Sequence, residues 1–266
     1  MEIFTIVLSG LLGALVPIGF ITDSIVANNL KKRIEGAEVL TIRIDNEPSY
    51  QLIKGKVNKV RIATRKLELI PDLIIDTLEI ETDPIDLDLK TLRAGGENSF
   101  NRSLRKPLQG GVRLVITQDD LNRALTSPRI DAILQQAVNR AFNATNYKLL
   151  NPQIKLLDNN RIAASATIDR GEESTPLDII FELGINLVEG RKLELIDIEA
   201  SIGQRRLPKR FLASFARGIN ERLDLGRLDE RGITAVLFQL ETQEEKLNIA
   251  GFVAIEGSKL NTEELN

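Results

Sequence analysis

The most constraining feature of this sequence is a long stretch in which apolar residues occupy every second position, PLDIIFELGINLV (176–188). Side chains alternate between the two faces of a β-strand, so these residues would lie together on one face. A usual strand has about five or six residues, and about twelve residues of alternation therefore predict a long, curved ribbon. One face of this ribbon would be turned toward an apolar interior. The residues on that face are Leu177, Ile179, Phe181, Leu183, Ile185 and Leu187.

The next segment predicts a partner for this strand. EGRK (189–192) is typical of a hairpin turn, and KLELIDIEASI (192–202) would return beside the first strand. The apolar phase of the return strand slips between Leu195 and Ile196. A β-bulge produces such a slip, and because bulges bend sheets we expect curvature at this point.

A period of two recurs in other parts of the chain. VLTIRID (39–45) starts a series of strand-like pieces that prolines separate, which predicts an antiparallel meander. YKLLNPQIKLL and RIAASATID, joined by a turn at DNN, predict a second meander. ITAVLFQLE and LNIAGFVAIE predict a closing pair of strands joined by TQEEK. The pieces that follow VLTIRID are 49–62, 65–70, 73–82 and 85–89.

Helical signals interrupt the strands. Thr117, with Asp120 three residues on, fits a capping box. Ser127 followed by Pro128 fits an N-cap with proline at the first helical position. Pro208 would start a further helix, PKRFLASFARGINERL, whose apolar residues recur at helical spacing.

The N-terminal segment has three interpretations. Residues 3–22 carry no charge, Lys31, Lys32 and Arg33 follow them, and apolar residues from Ile18 onward recur at helical spacing. A helix that belongs to the domain and lies on a membrane surface and a membrane anchor of about twenty apolar residues both fit. A secretion signal is the least favoured, because no Lys or Arg precedes the apolar run. Basic residues after an apolar segment favour the cytoplasmic side, although export also stays open.

Together the elements predict an α+β fold. The order is helix, strands, two helices, strands, helix and two strands, and the strict βαβ alternation of parallel folds is missing. We therefore expect long antiparallel sheets wrapped against helices. The expected division is an apolar segment (1–22), a single domain (23–256) and a frayed tail (257–266).

The composition excludes several classes of function. The chain contains no His and no Cys, which excludes Ser-His-Asp catalysis, Cys nucleophiles, disulfides and essentially every zinc site. A net charge of −3 and an aromatic content of 4% without Trp argue against nucleic acid as a partner. No P-loop, GxSxG or GxGxxG sequence occurs. We expect no cofactor, no metal and no enzymatic activity.

Several stretches resemble one protein family. NNLKKRIEGAEVLTIRIDNEPSYQLIKGKVNKVRIATRKL combines a basic helix end, a strand, a proline-containing turn and a second strand. TDPIDLDL, VRLVITQDDLNRAL, LPKRFLASFARGINERLDL and LDERGITAVLFQL reinforce the pattern. Together they resemble the cyanobacterial branch of the LmeA-like phospholipid-binding family over residues 20–256. The resemblance rests on patterns of packing and turns and carries no catalytic motif.

The resemblance implies a fold and a function. The fold is the tubular lipid-binding kind shared with bactericidal permeability-increasing protein, in which a long, strongly curved antiparallel sheet wraps around a long helix, here the N-terminal one. The function is non-enzymatic binding of a phospholipid or other acyl lipid in an aliphatic groove. Residues 177–187, with Phe211 and Phe215, would then line the groove, whereas without the resemblance the same strand would be ordinary core. The alternative is a membrane-attached scaffold that binds a protein partner and has a filled core.

Two basic groups are candidates for contact with lipid headgroups at a membrane surface, where each basic residue contributes roughly 1 kcal/mol. The first is at the start of a helix in RRLPKRF, and the alternative is that its charges are solvated and pair with acidic neighbours. The second is in GGENSFNRSLRKPLQGG (95–111), predicted to be a polar loop that either dips into a bilayer or is a mobile surface loop. The candidates are Arg205, Arg206, Lys209 and Arg210 in the first group and Arg102, Arg105 and Lys106 in the second.

The sequence TDPIDLD contains three carboxylates that suggest a cation site. No glycine-containing calcium loop surrounds them. We therefore favour solvent-facing strand positions for Asp83, Asp86 and Asp88.

Overall fold

The computed structural model describes residues 37–70, 73–94, 102–142, 147–171, 175–221 and 223–257. The predicted N-terminal helix, including the apolar segment 1–22, and nearly all of the predicted tail lie outside these ranges.

Strands dominate the described part of the chain. In chain order they are β1 (Val39–Asp45), β2 (Lys56–Val57), β3 (Lys59–Ile70), β4 (Leu73–Thr82), β5 (Ile85–Asp86), β6 (Leu108–Thr117), β7 (Lys148–Leu157), β8 (Arg161–Asp169), β9 (Leu177–Val188), β10 (Lys192–Ile202), β11 (Arg205–Arg206), β12 (Ile233–Gln243) and β13 (Lys246–Ile255). The helices of the described part include α1 (Leu89–Ala94), α2 (Gln118–Leu125), α3 (Pro128–Phe142) and α4 (Lys209–Asn220), together with the 3-10 helices Ser49–Lys54 and Leu225–Arg231.

Two large antiparallel sheets organise these elements. The first has six strands in the order β1-β3-β4-β6-β13-β12, and the second has five in the order β11-β10-β9-β8-β7. Strands β2 and β5 form a separate two-stranded ribbon. The pairings of the described strands are antiparallel. The predicted α+β class with antiparallel sheets is therefore confirmed.

Aliphatic residues of the six-stranded sheet form the main core. Val60, Ile62 and Leu78 of β3 and β4 are at most 3% exposed. Leu40 and Ile42 of β1 pack against them, on the face that the alternation in VLTIRID predicts. One buried face on an antiparallel sheet is what such alternation requires.

A buried carboxylate fixes helix α2 to this sheet. The Asp120 N–H donates to Thr117 Oγ1 (3.2 Å) and the Thr117 hydroxyl donates to the Asp120 carboxylate (2.6 Å), so the predicted cap is confirmed. The Asp120 side chain is fully buried and pairs with Lys66 (3.1 Å) and Arg123 (3.0 Å). Lys66 also pairs with Asp76 (2.9 Å), and this hydrogen bond lowers the pKa of Asp76.

Two other helices begin at, or one residue after, the proline that the sequence predicts as their start. Helix α3 begins at Pro128, and the Ile130 N–H donates to Ser127 Oγ (3.3 Å), which confirms the predicted N-cap. Helix α4 begins one residue after Pro208, which occupies the N-cap position without a side-chain bond. Within the described ranges, no helix combines the length and the apolar character that crossing a membrane needs.

The five-stranded sheet meets the six-stranded sheet through its hairpin turns. The Leu237 N–H of β12 donates to the Gly190 carbonyl (2.7 Å), and the Thr242 N–H donates to Asn160 Oδ1 (2.9 Å). Gly190 has φ 69°, and a Cβ there would lie 2.7 Å from the Leu237 carbonyl oxygen. The turns therefore cover the edge of β12, which would otherwise present unpaired backbone groups.

The predicted strand 49–62 is wrong in its first half. Ser49–Lys54 is a 3-10 helix, and a continuous β3 starts at Lys59. Gly55 ends the helix in the left-handed region (φ 79°), and a Cβ there would lie 2.3 Å from the Leu87 carbonyl oxygen. The chain must therefore turn tightly at a point where a strand would run straight.

The predicted loop 95–111 is too long at its C-terminal end. Leu108 already belongs to β6, which pairs with β4 and β13. A Cβ at Gly110 would lie 2.6 Å from the Glu81 carbonyl oxygen, so this glycine permits a close approach of two strands. Similarly, the piece 85–89 is a two-residue strand followed by α1.

Candidate functional site

Strand β9 carries an apolar face that is only half-buried. Its six alternate residues from Leu177 to Leu187 are all partly accessible, whereas Asp178, Ile180 and Asn186 on the opposite face are exposed. β9 lies between β8 and β10 in the five-stranded sheet. The partial exposure distinguishes this face from the core of the six-stranded sheet, whose residues are almost completely buried.

The strands beside β9 extend its apolar face. Phe181 pairs with Ala164 of β8 and Ala200 of β10, and Ile179 pairs with Ala166 of β8. Directly paired residues of antiparallel strands share a face. The short alanine side chains therefore leave low positions on both sides of the Phe181 ring.

A β-bulge in β10 keeps this face continuous. The register of β10 against β9 shifts between Ile196 and Glu199, one residue after the predicted phase slip, and Asp197 has φ 48°. The extra residue returns Ala200 to the side of Phe181.

Helix α4 runs along the edge of β10 and leaves a cavity at the bulge. The Leu195 N–H donates to Asn220 Oδ1 (2.9 Å) near one end of the helix. Near the other end, the Leu207 N–H donates to the Ala200 carbonyl (2.8 Å). The space beside the bulge is a cavity of about 930 Å³, which we call the α4 cavity.

The α4 cavity has apolar walls and a mixed charged lining. Leu212 and Ala216, both buried residues of α4, line it together with Leu195 and Ile198 of β10. Charges of both signs surround these residues, so the cavity does not present a field of one sign. The charged residues are Arg161, Lys192, Glu194, Asp197, Glu199, Lys209, Arg217, Glu221 and Asp224.

The predicted basic residues of RRLPKRF form an exposed cluster at the start of α4, which we call the basic cluster. Within the described residues, none of its members has a carboxylate oxygen within 4.0 Å. Arg206 and Lys209 line a second, smaller cavity of about 190 Å³, beside Ile180 and Leu207. The cluster consists of Arg205, Arg206, Lys209 and Arg210, all exposed.

Comparison with known families adds independent evidence. The family model described as LmeA-like phospholipid-binding matches residues 13–252, which is most of the chain. The chain belongs to the LmeA-like phospholipid-binding family. This confirms the family to which the sequence analysis assigned the chain. No curated protein and no solved structure matches the chain.

The LmeA-like chain separates its two predicted basic groups. The basic cluster adjoins β10 in the five-stranded sheet, whereas Arg102, Arg105 and Lys106 precede β6 of the six-stranded sheet. Arg105 pairs with Asp86 (3.4 Å), and all three residues of this second group are exposed. The predicted groove residues Phe211 and Phe215 belong to α4, but their side chains lie outside what the structure describes.

Two of the three aspartates of TDPIDLD have structural partners in this LmeA-like chain, and the strand position predicted for Asp88 is wrong, because this residue caps α1. Asp86 pairs with Arg105. Asp88 accepts hydrogen bonds from the N–H groups of Lys90 (2.9 Å) and Thr91 (3.4 Å) at the start of α1, and these bonds lower the pKa of Asp88. In the part of the chain that the structure describes, no group of three or more acidic side chains is arranged to hold a metal ion.

Sequence reasoning missed the α4 cavity and the part that Asn220 plays beside it. The Leu195 N–H bonds to Asn220 because β10 is an edge strand at this point, where Leu195 still pairs in register with Ile185. The volume of the α4 cavity depends on the distance between α4 and β10. Tertiary packing sets this distance, and short sequence patterns do not indicate it.

Proposed function

We propose that this LmeA-like protein is a non-enzymatic lipid-binding protein that holds acyl chains on the apolar face of the five-stranded sheet. The half-buried face of β9, extended by alanines on both neighbouring strands, is the observation that carries the proposal. Family membership supports it, because the family is described by phospholipid binding. A chain without His or Cys also lacks the commonest catalytic groups.

The energetics of such binding depend mainly on apolar area. Each buried CH₂ group contributes about 0.8 kcal/mol, and association costs about 4–15 kcal/mol in lost freedom. An acyl chain must therefore bury on the order of a dozen CH₂ groups before binding becomes favourable. The twelve residues of β9 span about 40 Å at about 3.3 Å per residue, which is long enough to accommodate such a chain.

The polar end of the lipid would lie at the basic cluster. Its exposed cations have no carboxylate partner among the described residues, so their charge is available to an anionic headgroup. Lys209 lines both cavities beside α4, and Arg206 lines the smaller one. Arg206 lies on the Ile180 side of the sheet, whereas Arg205 lies on the side of Ile179 and the groove. We therefore assign the lipid phosphate to Arg205, because charge-assisted hydrogen bonds to phosphate are among the strongest that arginine makes.

The proposed location is a membrane surface, on the cytoplasmic side. The uncharged residues 3–22 followed by Lys31, Lys32 and Arg33 support this orientation. We also propose the tubular arrangement, in which the antiparallel sheets curve around the N-terminal helix. Deletion of residues 1–22 tests the attachment: a folded product that still binds membranes would exclude this segment as the sole anchor.

Extraction of the purified protein with organic solvent, followed by mass spectrometry, tests the lipid proposal. We expect stoichiometric lipid in the extract and uptake of a fluorescent phospholipid. Ala164→Phe should weaken that uptake about 15-fold, since a side chain that displaces two CH₂ groups costs about 1.6 kcal/mol. Ala163→Phe is the matched control, because Ala163 pairs with Glu182 on the opposite face of the sheet.

The outcomes separate the proposal from its alternative. Absence of extracted lipid together with absence of uptake would contradict lipid binding and favour the membrane-attached scaffold. Equal uptake by the two alanine variants would place the lipid somewhere other than the β9 face.

A further inference from the structure

We propose that the 3-10 helix Ser49–Lys54 is a membrane-insertion tip that enters the bilayer interface through Tyr50 and Ile53. The inference rests on the proposed membrane association but is independent of the lipid groove. Tyr50 is 59% exposed, and Ile53, at 76%, is the most exposed large apolar side chain among the described residues.

The geometry of the 3-10 helix places these two side chains together. A 3-10 helix has three residues per turn, so Tyr50 and Ile53 lie one above the other on the same side. Leu52 packs against the core of the six-stranded sheet instead. The Gly55 N–H donates to the Leu52 carbonyl (2.9 Å), and the Leu87 N–H donates to the Gly55 carbonyl (2.8 Å). These contacts fix the helix to the sheet and hold the apolar pair outward.

Lysines flank the exposed pair. Lys54 Nζ lies 5.5 Å from the centroid of the Tyr50 ring, and Lys56 is exposed. Neither lysine has a carboxylate oxygen within 4.0 Å in the described part of the chain. The segment from Ser49 to Val57 contains no acidic residue. Lysines around a tyrosine and an isoleucine suit an anionic bilayer, in which the cations contact headgroups and the apolar pair enters the interface.

The second predicted basic group adjoins this tip. Lys56 lies opposite Asp86 in the backbone register of the β2–β5 ribbon. The Arg105 N–H donates to the Asp86 carbonyl (2.9 Å). Hydrogen-bonded neighbouring segments lie about 4.8 Å apart, and β5 lies between the two, so the Arg105 backbone is roughly 10 Å from that of Lys56. The Asp86 carboxylate pairs with Arg105 and Asp88 caps α1, so these acidic groups already have partners.

The size and place of the tip favour a bilayer over a protein partner. Two projecting side chains are far fewer than the 20–30 residues per side that a standard protein interface uses. The tip also follows β1, at one edge of the six-stranded sheet, whereas β12 at the other edge contacts the five-stranded sheet. The tip is therefore a membrane contact distinct from the basic cluster.

A single tryptophan tests the insertion directly. The chain contains no Trp, so Tyr50→Trp introduces one reporter. With vesicles of phosphatidylcholine and phosphatidylglycerol, we expect its emission to shift to shorter wavelength and brominated lipids to quench it. Phe238→Trp is the matched control, because Phe238 is 72% exposed but lies on β12. An unshifted Tyr50→Trp signal, or an equal shift in the Phe238→Trp variant, would overturn the proposal.

A second pair of variants measures the contribution to affinity. Ile53→Ser should weaken binding to the same vesicles at least about tenfold, a loss that corresponds to about 1.4 kcal/mol, whereas Phe238→Ser should leave it unchanged. Lipid extracted from Ile53→Ser should match that from the parent protein, because the tip is remote from β9. Equal vesicle binding by the parent protein and the Ile53→Ser variant, or no vesicle binding by the parent protein, would overturn the proposed membrane insertion. The lipid extraction alone tests lipid binding on β9.

Discussion

Replacement of Arg206 and Arg210 by glutamate should weaken binding to anionic vesicles by about a thousandfold at low salt. Both arginines are exposed, and neither has a carboxylate partner among the described residues. Their replacement therefore leaves no buried charge unpaired, and the thermal unfolding temperature should stay close to that of the parent protein.

The magnitude follows from the charges that change. A basic residue near an anionic surface contributes roughly 1 kcal/mol, and reversal replaces this attraction by a repulsion of similar size. Each substitution thus costs about 2 kcal/mol and the pair about 4 kcal/mol, which is nearly three factors of ten in the partition constant. The Debye length is about 8 Å at physiological ionic strength, so the difference between variant and parent should shrink as salt is added.

Flotation with phosphatidylglycerol-containing vesicles over a series of lipid concentrations gives the partition constant. The control is Lys148→Glu with Lys155→Glu, two exposed lysines of β7 whose reversal changes the net charge equally. We expect the control pair to lose much less affinity, because its charges belong to another surface of the five-stranded sheet. Unchanged flotation of the arginine variant, or an equal loss in the lysine variant, would refute a specific role for the basic cluster.

Two further predictions concern the stability of the six-stranded sheet. Gly110→Ala should lower the free energy of unfolding in urea by about 1–3 kcal/mol, because its Cβ would lie 2.6 Å from a carbonyl oxygen of β4. Gly111→Ala, whose nearest atom would be 4.0 Å away, should have a much smaller effect, and equal midpoints would contradict the close approach. Since Lys66 lowers the pKa of Asp76, their pairing stabilises the fold above about pH 4 and is lost as the pH falls below it. Lys66→Met should therefore flatten the fall in unfolding free energy below about pH 4 relative to the control Lys148→Met, and an unchanged slope would contradict the coupling.

Periodicity predicted those parts of the fold that depend on one buried face. The alternation in β9 and the phase slip in β10 gave the long hairpin and its bulge, because a shift of one residue moves side chains to the other face. The helix N-caps at Thr117 and Ser127 were also predictable from the sequence, because an N-cap is a local hydrogen bond between residues three apart.

The 3-10 helix at Ser49–Lys54 could not be predicted from periodicity or from a cap. Leu52 and Ile53 are adjacent apolar residues, which fits neither a strand with one buried face nor an amphipathic α-helix. The end of the loop 95–111 was predicted wrongly because glycine is common in turns but also permits two strands to approach closely. At Gly110 only the position of β4 decides between these two roles.

The candidate groove has a deeper ambiguity, because the same chemistry serves stability and binding. Leucine and isoleucine on the face of β9 would stabilise the sheet by burial whether protein or an acyl chain covers them. A substitution that removes apolar area, such as Ile179→Ala, would therefore weaken both the fold and the binding and could not separate them. Ala164→Phe adds apolar area to the same face, so loss of lipid uptake by a protein of unchanged stability would separate a cavity from a core. If the added ring instead destabilises the fold, as overpacking of a filled core does, the face is already covered by protein.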